Sequence, residues 1–129
     1  MMNEKILNEI SISKQDLIEF KEFCNRNGFN YSLNKLLLEY FPYLISPSVE
    51  RRCSFVENSL IAGKTLDAGA GSGWLDLWLI NKNINMDVIT GDLSDSSLQK
   101  MKILFKFFKV NIDPVKLNLI SLPFKEDFF

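Results

Sequence analysis

One short stretch of the chain combines an acid with three evenly spaced glycines. The run from Leu66 to Gly73 reads LDAGAGSG, so Asp67 ends a short apolar segment and Gly69, Gly71 and Gly73 follow at every second position. Glycine lets the backbone turn sharply and lets a ligand approach without a Cβ in the way. The first amides of a following helix have no partner inside that helix. We therefore expect a turn that binds a small anionic group, such as a carboxylate or phosphate; an ordinary glycine loop is the alternative.

A second acid follows where one strand-helix-strand unit would end. The strand-like run of residues 86–91 leads into Asp92, which lies nineteen residues after Gly73. That separation suits a carboxylate that contacts a ribose beside the glycine turn. An exposed acid in a turn is the alternative interpretation of Asp92.

The elements around these residues predict an α/β fold. Apolar runs and turn signals after the glycine turn predict, in order, a helix over 74–80, a strand over 86–91, a helix over 94–108 and a strand over 115–119. Strands that alternate with helices favour parallel pairing and right-handed crossovers. The glycine turn and Asp92 would then share the carboxyl edge of one parallel sheet.

The first half of the chain has the pattern of short helices. Residues 1–12 show no clear period and are expected to fray, whereas helices are predicted from a Ser13 cap to Asn27, over 31–40, and from Ser46-Pro47 to about Ile61. Helices this short gain their stability from packing. We therefore expect residues 1–62 to form a helical cap packed on the sheet of residues 63–129.

Composition excludes several classes of enzyme. The 129 residues include no histidine, which rules out Ser-His-Asp and Cys-His nucleophile systems and histidine-based zinc sites. Cys24 and Cys53 fit no metal-ligand spacing, so we expect buried free thiols and no metal. The net charge of -1 gives no reason to expect nucleic acid. With neither a signal segment nor a bilayer-length apolar run, we expect a cytoplasmic chain without a membrane partner.

Three motifs in order resemble a known family. Residues 66–73 resemble the glycine motif of class I S-adenosylmethionine (SAM)-dependent methyltransferases, and Asp92-Leu93-Ser94 resembles their second motif. Leu122-Pro123-Phe124 resembles the tail of their third motif, as in the small-molecule methyltransferases. A nicotinamide-binding loop would place its third glycine one residue later, where Trp74 stands. The resemblance covers roughly the second half of the chain.

The resemblance implies a Rossmann-like parallel sheet, the first three strands of the methyltransferase fold, with SAM as cofactor. It implies that the glycine loop makes room for the methionine part of SAM, Asp67 holds its ammonium group and Asp92 accepts the ribose hydroxyls. Leu93 would pack on the adenine and Leu119 would offer its backbone N–H to the ring. Asn118 stands where the family usually has Asp at the adenine amino group. The implied cofactor-binding set is Asp67, Gly69, Ala70, Gly71, Gly73, Asp92, Leu93, Asn118 and Leu119, and no catalytic base can be named.

In the resembling family, a fourth strand would follow the third motif and lie beside the first. The chain ends at Phe129, so we expect a truncated half-domain whose first strand is a sheet edge open to self-association. The functional hypothesis is a SAM-dependent methyltransferase, or a fragment inactive alone, that acts on a small-molecule acceptor. The alternative is a non-catalytic SAM-binding or structural module that completes its sheet with a partner chain.

Overall fold

The computed structural model of the chain describes residues 2–59, 64–82, 87–122 and 124. The chain divides into two compact units, Met1–Ser59 and Leu60–Phe129. The first unit is helical, and the second contains the sheet. No helix in the described ranges combines the length and the apolar character that crossing a membrane requires.

The helical unit contains four α-helices and one 3-10 turn within its described residues. These are α1 (Glu4–Glu9), α2 (Lys14–Arg26), α3 (Leu33–Tyr40), the 3-10 turn (Pro42–Leu44) and α4 (Pro47–Ser59). The predicted end of the last helix, near Ile61, lies outside the described residues.

The expectation that residues 1–12 fray is wrong, because α1 lies within them. Asn3 caps this helix through its side chain, and its backbone N–H bonds to the carbonyl of Leu44 at 2.8 Å. Ile6 and Leu7 are buried. A six-residue helix is too short to show a helical period in the sequence, and burial and capping stabilise it instead.

The predicted helix starts are largely confirmed. Ser13 and Asp16 form a reciprocal capping box at α2, with bonds of 3.0 and 2.8 Å between each side chain and the other residue's backbone N–H. The helix after Ser46 begins at Pro47, as predicted. The next helix, α3, begins two residues later than predicted, because the Ser32 side chain caps it by accepting the Lys35 N–H.

The two cysteines are free and buried, as predicted. Burial raises the pKa of both thiols to about 12. A thiol with so high a pKa carries almost no thiolate, the nucleophilic form, near neutral pH.

The second unit alternates strands with helices, which confirms the predicted α/β class. Its elements are β1 (Lys64–Ala68), α5 (Trp74–Asn81), β2 (Asp87–Asp92), α6 (Asp95–Phe107) and β3 (Val115–Lys116). The strands form a parallel sheet in the order β1-β2-β3. Within the described residues β1 pairs with β2 alone, so it is an edge strand, as expected.

The third strand is shorter than predicted. The strand ends at Lys116, the Leu117 N–H makes a last bond to β2, and residues 118–121 leave the sheet. Asn118 turns the chain, because its side-chain oxygen accepts the N–H of Ile120 at 3.0 Å. A short polar side chain that bonds the backbone two residues on favours a turn over a strand. Asn118 and Leu119 therefore follow the sheet instead of ending its third strand.

Candidate functional site

The glycine loop after β1 has the backbone that only glycine adopts freely. Gly69, Gly71 and Gly73 have φ angles of +70°, +62° and +84°. The loop is held on β2, since the Ala70 N–H bonds to the carbonyl of Gly91 at 3.0 Å. Gly73 then caps the start of α5. The predicted strand-turn-helix arrangement is therefore present.

The three glycines differ in what surrounds them. A Cβ on Gly69 or Gly71 would meet no atom of the described chain within 4 Å, so this side of the loop is open. A Cβ on Gly73 would lie 2.9 Å from the Phe105 ring and 3.0 Å from the Met101 side chain, both on α6. Close packing against α6 therefore explains why residue 73 is a glycine. The expected room for a ligand lies at Gly69 and Gly71.

Asp92 joins the end of β2 to the glycine loop. Its Oδ2 accepts the Gly71 N–H at 3.0 Å, and its Oδ1 accepts the Ser94 N–H at 2.9 Å. The carboxylate is half-buried. These bonds place the second acid of the sequence pattern directly against the glycine loop. Each carboxylate oxygen retains a further acceptor position, because each has two lone pairs.

Two residues that are expected to contact an adenine ring are apolar and exposed. Leu93 follows Asp92 and is 58% exposed, and Leu119 is 64% exposed. Leu119 follows the segment in which Leu117 donates its backbone N–H to the carbonyl of Asp92 at 3.0 Å. Asn118 is also exposed, and its side-chain oxygen already takes part in its own turn. Pro123 of the third motif lies outside the described residues.

A buried acid that the sequence pattern did not single out lies beside the loop. Asp76 lies on α5 and is 1% exposed, and its Oδ2 accepts the hydroxyl proton of Thr90 at 2.8 Å. The Asp67 carboxyl group is its acidic neighbour. Burial first, and then the charge of Asp67, raise the pKa of the Asp76 carboxyl well above its usual range. The signal was present in the sequence: Asp76 is the one acid in the apolar run WLDLWLI.

The strand register brings Asp67 and Thr90 together. They are direct partners between β1 and β2, so their side chains lie on the same face of the sheet. The Asp76 side chain reaches the same face from α5, because it accepts the hydroxyl proton of Thr90 there. The result is a cluster of two carboxyl groups and one hydroxyl at the carboxyl end of β1. We call Asp67 and Asp76 the carboxyl pair.

The described residues contain no group of three or more His, Cys, Asp and Glu side chains placed to hold a metal ion. The arrangement at the carboxyl edge instead offers an open glycine loop, three acidic groups and exposed apolar side chains. Comparison with known proteins adds no assignment: no family model, curated protein or solved structure matches the chain.

Proposed function

We propose that the sheet unit is a Rossmann-like unit that binds SAM for methyl transfer to a small-molecule acceptor. The observation that carries this proposal is the 3.0 Å bond between the Gly71 N–H and Oδ2 of Asp92. It puts a carboxylate beside a glycine loop whose open face has room for a ligand. A nucleoside with a small polar chain fits this combination of groups.

The residues fit the adenosine part of such a ligand. Each carboxylate oxygen of Asp92 accepts one backbone N–H and keeps one free acceptor position. The two free positions are enough to accept the two ribose hydroxyls. Leu93 and Leu119 offer apolar surface to an adenine ring, which would cover part of their exposed area. The uncharged Asn118 could accept one hydrogen bond from the adenine amino group through the second lone pair of its oxygen.

At the other end of the ligand, the open face at Gly69 and Gly71 receives the methionine part, and Asp67 accepts its ammonium group. When bound, SAM supplies a methyl group already activated by the positive charge on its sulfur. The chain's own task is to hold the donor in a fixed position and to shield it from water. No side chain of the described site is assigned as a base.

The chain is expected to bind SAM and S-adenosylhomocysteine, as measured by titration calorimetry and by the thermal shift of the folded chain. NAD is the matched control, because it shares the adenosine part but suits a different glycine spacing. If the folded chain shows neither a heat of binding nor a thermal shift at millimolar SAM or S-adenosylhomocysteine, the proposal is wrong. Tighter binding of NAD would favour a dehydrogenase-type site instead.

Replacing Asp92 by Ala is expected to weaken S-adenosylhomocysteine binding by about 2 kcal/mol, roughly thirty-fold, because two hydroxyls lose a charged acceptor. It should also cost the fold about 1 to 2 kcal/mol, since the Gly71 and Ser94 amides lose their acceptor. Asp95→Ala is the control, because Asp95 is an exposed acid three residues away. Equal binding by parent and Asp92→Ala, measured by calorimetry, would show that Asp92 does not contact the ligand.

The alternative function is a non-catalytic module that completes its sheet with a partner chain. It is favoured by one observation, the pairing of β1 with β2 alone among the described strands. Two measurements separate the functions: turnover of radiolabelled SAM with a panel of small acceptors, and the molar mass of the chain in solution across a concentration series. Turnover by a monomer favours the enzyme, whereas SAM binding with self-association and no turnover favours the module.

A further inference from the structure

The carboxyl pair places two acidic groups next to each other, and one of them is fully buried. Thr90 donates its hydroxyl proton to Oδ2 of Asp76 at 2.8 Å. The other oxygen of Asp76, Oδ1, is buried and receives no N–H or O–H donor from the described residues. Oδ1 is thus the oxygen through which Asp76 can bond to the neighbouring Asp67 carboxyl group. Two carboxylates cannot bond to each other unless one of them carries a proton.

The proton belongs to the more deeply buried member. Asp76 is 1% exposed, whereas Asp67 is half-buried at the carboxyl end of β1. Removing a charge from water costs most where burial is greatest, so Asp76 is the neutral member of the pair. The bond pattern agrees: Oδ2 of Asp76 accepts from Thr90, as a carbonyl oxygen does, which leaves Oδ1 as the oxygen that would carry the proton. From the elements packed against Asp76, the polar groups acting on it are Asp67 of β1 and the non-titrating Thr90 of β2.

We propose that Asp76 is a positioning residue: its proton holds the Asp67 carboxylate in place beside the glycine loop and leaves to solvent when a ligand ammonium group binds at Asp67. This inference rests on the proposed function and identifies how the amino-acid part of the ligand is recognised. The exchange balances in charge, because the arriving ammonium brings one positive charge and the departing proton removes one. No bond of the ligand breaks.

The exchange makes binding depend on pH. As pH rises, the proton leaves more easily, so a ligand with an ammonium group binds more tightly. An α-amino group is about half deprotonated near pH 8, so the useful window is pH 6.0 to 7.5, where most of the ligand still carries its ammonium group. A ligand without an ammonium group has no proton to displace, and its affinity stays constant across that window.

The experiment titrates the full chain with S-adenosylhomocysteine and with 5′-methylthioadenosine, which lacks the amino-acid part. Calorimetry in two buffers of different ionisation enthalpy gives the number of protons released. For S-adenosylhomocysteine we expect proton release and an affinity that rises about ten-fold from pH 6.0 to 7.5, the upper bound for one proton being ten-fold per pH unit. For methylthioadenosine we expect neither effect. In Asp76→Asn, which keeps a donor to Asp67 but no titrating proton, both effects should disappear.

Each outcome has a separate meaning. Binding of both ligands with flat affinity and no proton release would overturn this inference and leave the proposed function standing. If Asp76→Asn weakens binding equally at every pH and leaves proton release unchanged, then Asp76 has only a structural role. Failure of both ligands to bind the folded parent chain would overturn the proposed function and this inference with it. The measurements on the parent chain decide these points even if the variant does not fold.

Discussion

The free energy of unfolding of the sheet unit is expected to fall by about 3 kcal/mol between pH 5 and pH 7 because of Asp76 alone. Burial and the neighbouring Asp67 raise the pKa of Asp76 in the folded chain, whereas the unfolded chain has the ordinary value. The folded chain therefore binds one more proton within this window. Stability from such a group is full at low pH and is lost as pH rises toward the folded pKa, by about 1.4 kcal/mol per pH unit.

Urea unfolding followed by tryptophan fluorescence measures this slope. The chain has two tryptophans, Trp74 and Trp78, and both lie on α5 in the sheet unit, so the signal reports on that unit. Asp76→Asn is expected to lose the slope, because an amide does not titrate. Asp113→Asn makes the same chemical change at an exposed loop position and should keep the parent slope. Parallel pH profiles for the parent and Asp76→Asn would contradict the assignment of the proton to Asp76.

Replacing Gly91 by Ala is expected to cost the sheet unit about 3 to 4 kcal/mol of unfolding free energy. A Cβ on Gly91 would lie 2.1 Å from the backbone oxygen of Val115 and 2.8 Å from the Leu117 side chain. A backbone atom of a paired strand cannot turn aside as a flexible side chain can, so β2 and β3 would have to separate. Gly91 also holds the glycine loop, since its carbonyl accepts the Ala70 N–H.

Gly71→Ala is the matched comparison for Gly91→Ala. Its Cβ would enter open space, but its φ of +62° strains any residue with a side chain. The expected cost is only about 1 to 2 kcal/mol. Urea unfolding of both variants, again by tryptophan fluorescence, tests the difference. If both variants lost a similar unfolding free energy, the close approach of Val115 would not be the reason that residue 91 must be glycine.

Local rules predicted the parts of this fold that local residues decide. The Ser13 cap and the Pro47 helix start follow from nearby side chains, and both are observed. The tight turn at the glycine loop is predicted in the same way, and its three glycines have positive φ angles. Alternating strands and helices were sufficient to predict a parallel sheet, because crossovers of that length allow few other pairings.

Residues whose roles depend on distant partners could not be assigned from the sequence. Gly73 has the spacing of a ligand-binding glycine, yet its missing Cβ makes room for Phe105 on α6. Asp76 is visible in the sequence as an acid among apolar residues, but its meeting with Asp67 and Thr90 depends on how α5 is rotated over the sheet. Asn118 was assigned to a strand by its apolar neighbours, and its own side-chain bond ends that strand earlier.

The bonds that hold the glycine loop have a consequence for its amide hydrogen exchange. The N–H groups of Ala70, Gly71 and Gly73 all have acceptors within the unit, namely the carbonyl of Gly91, Oδ2 of Asp92 and the carbonyl of Ala70. Exchange at these amides requires the bonds to open first, so it should be slow for a glycine loop even without ligand. A loop already ordered loses little conformational freedom when a ligand arrives. Exchange rates at these amides would therefore report how far the free chain is prepared for binding.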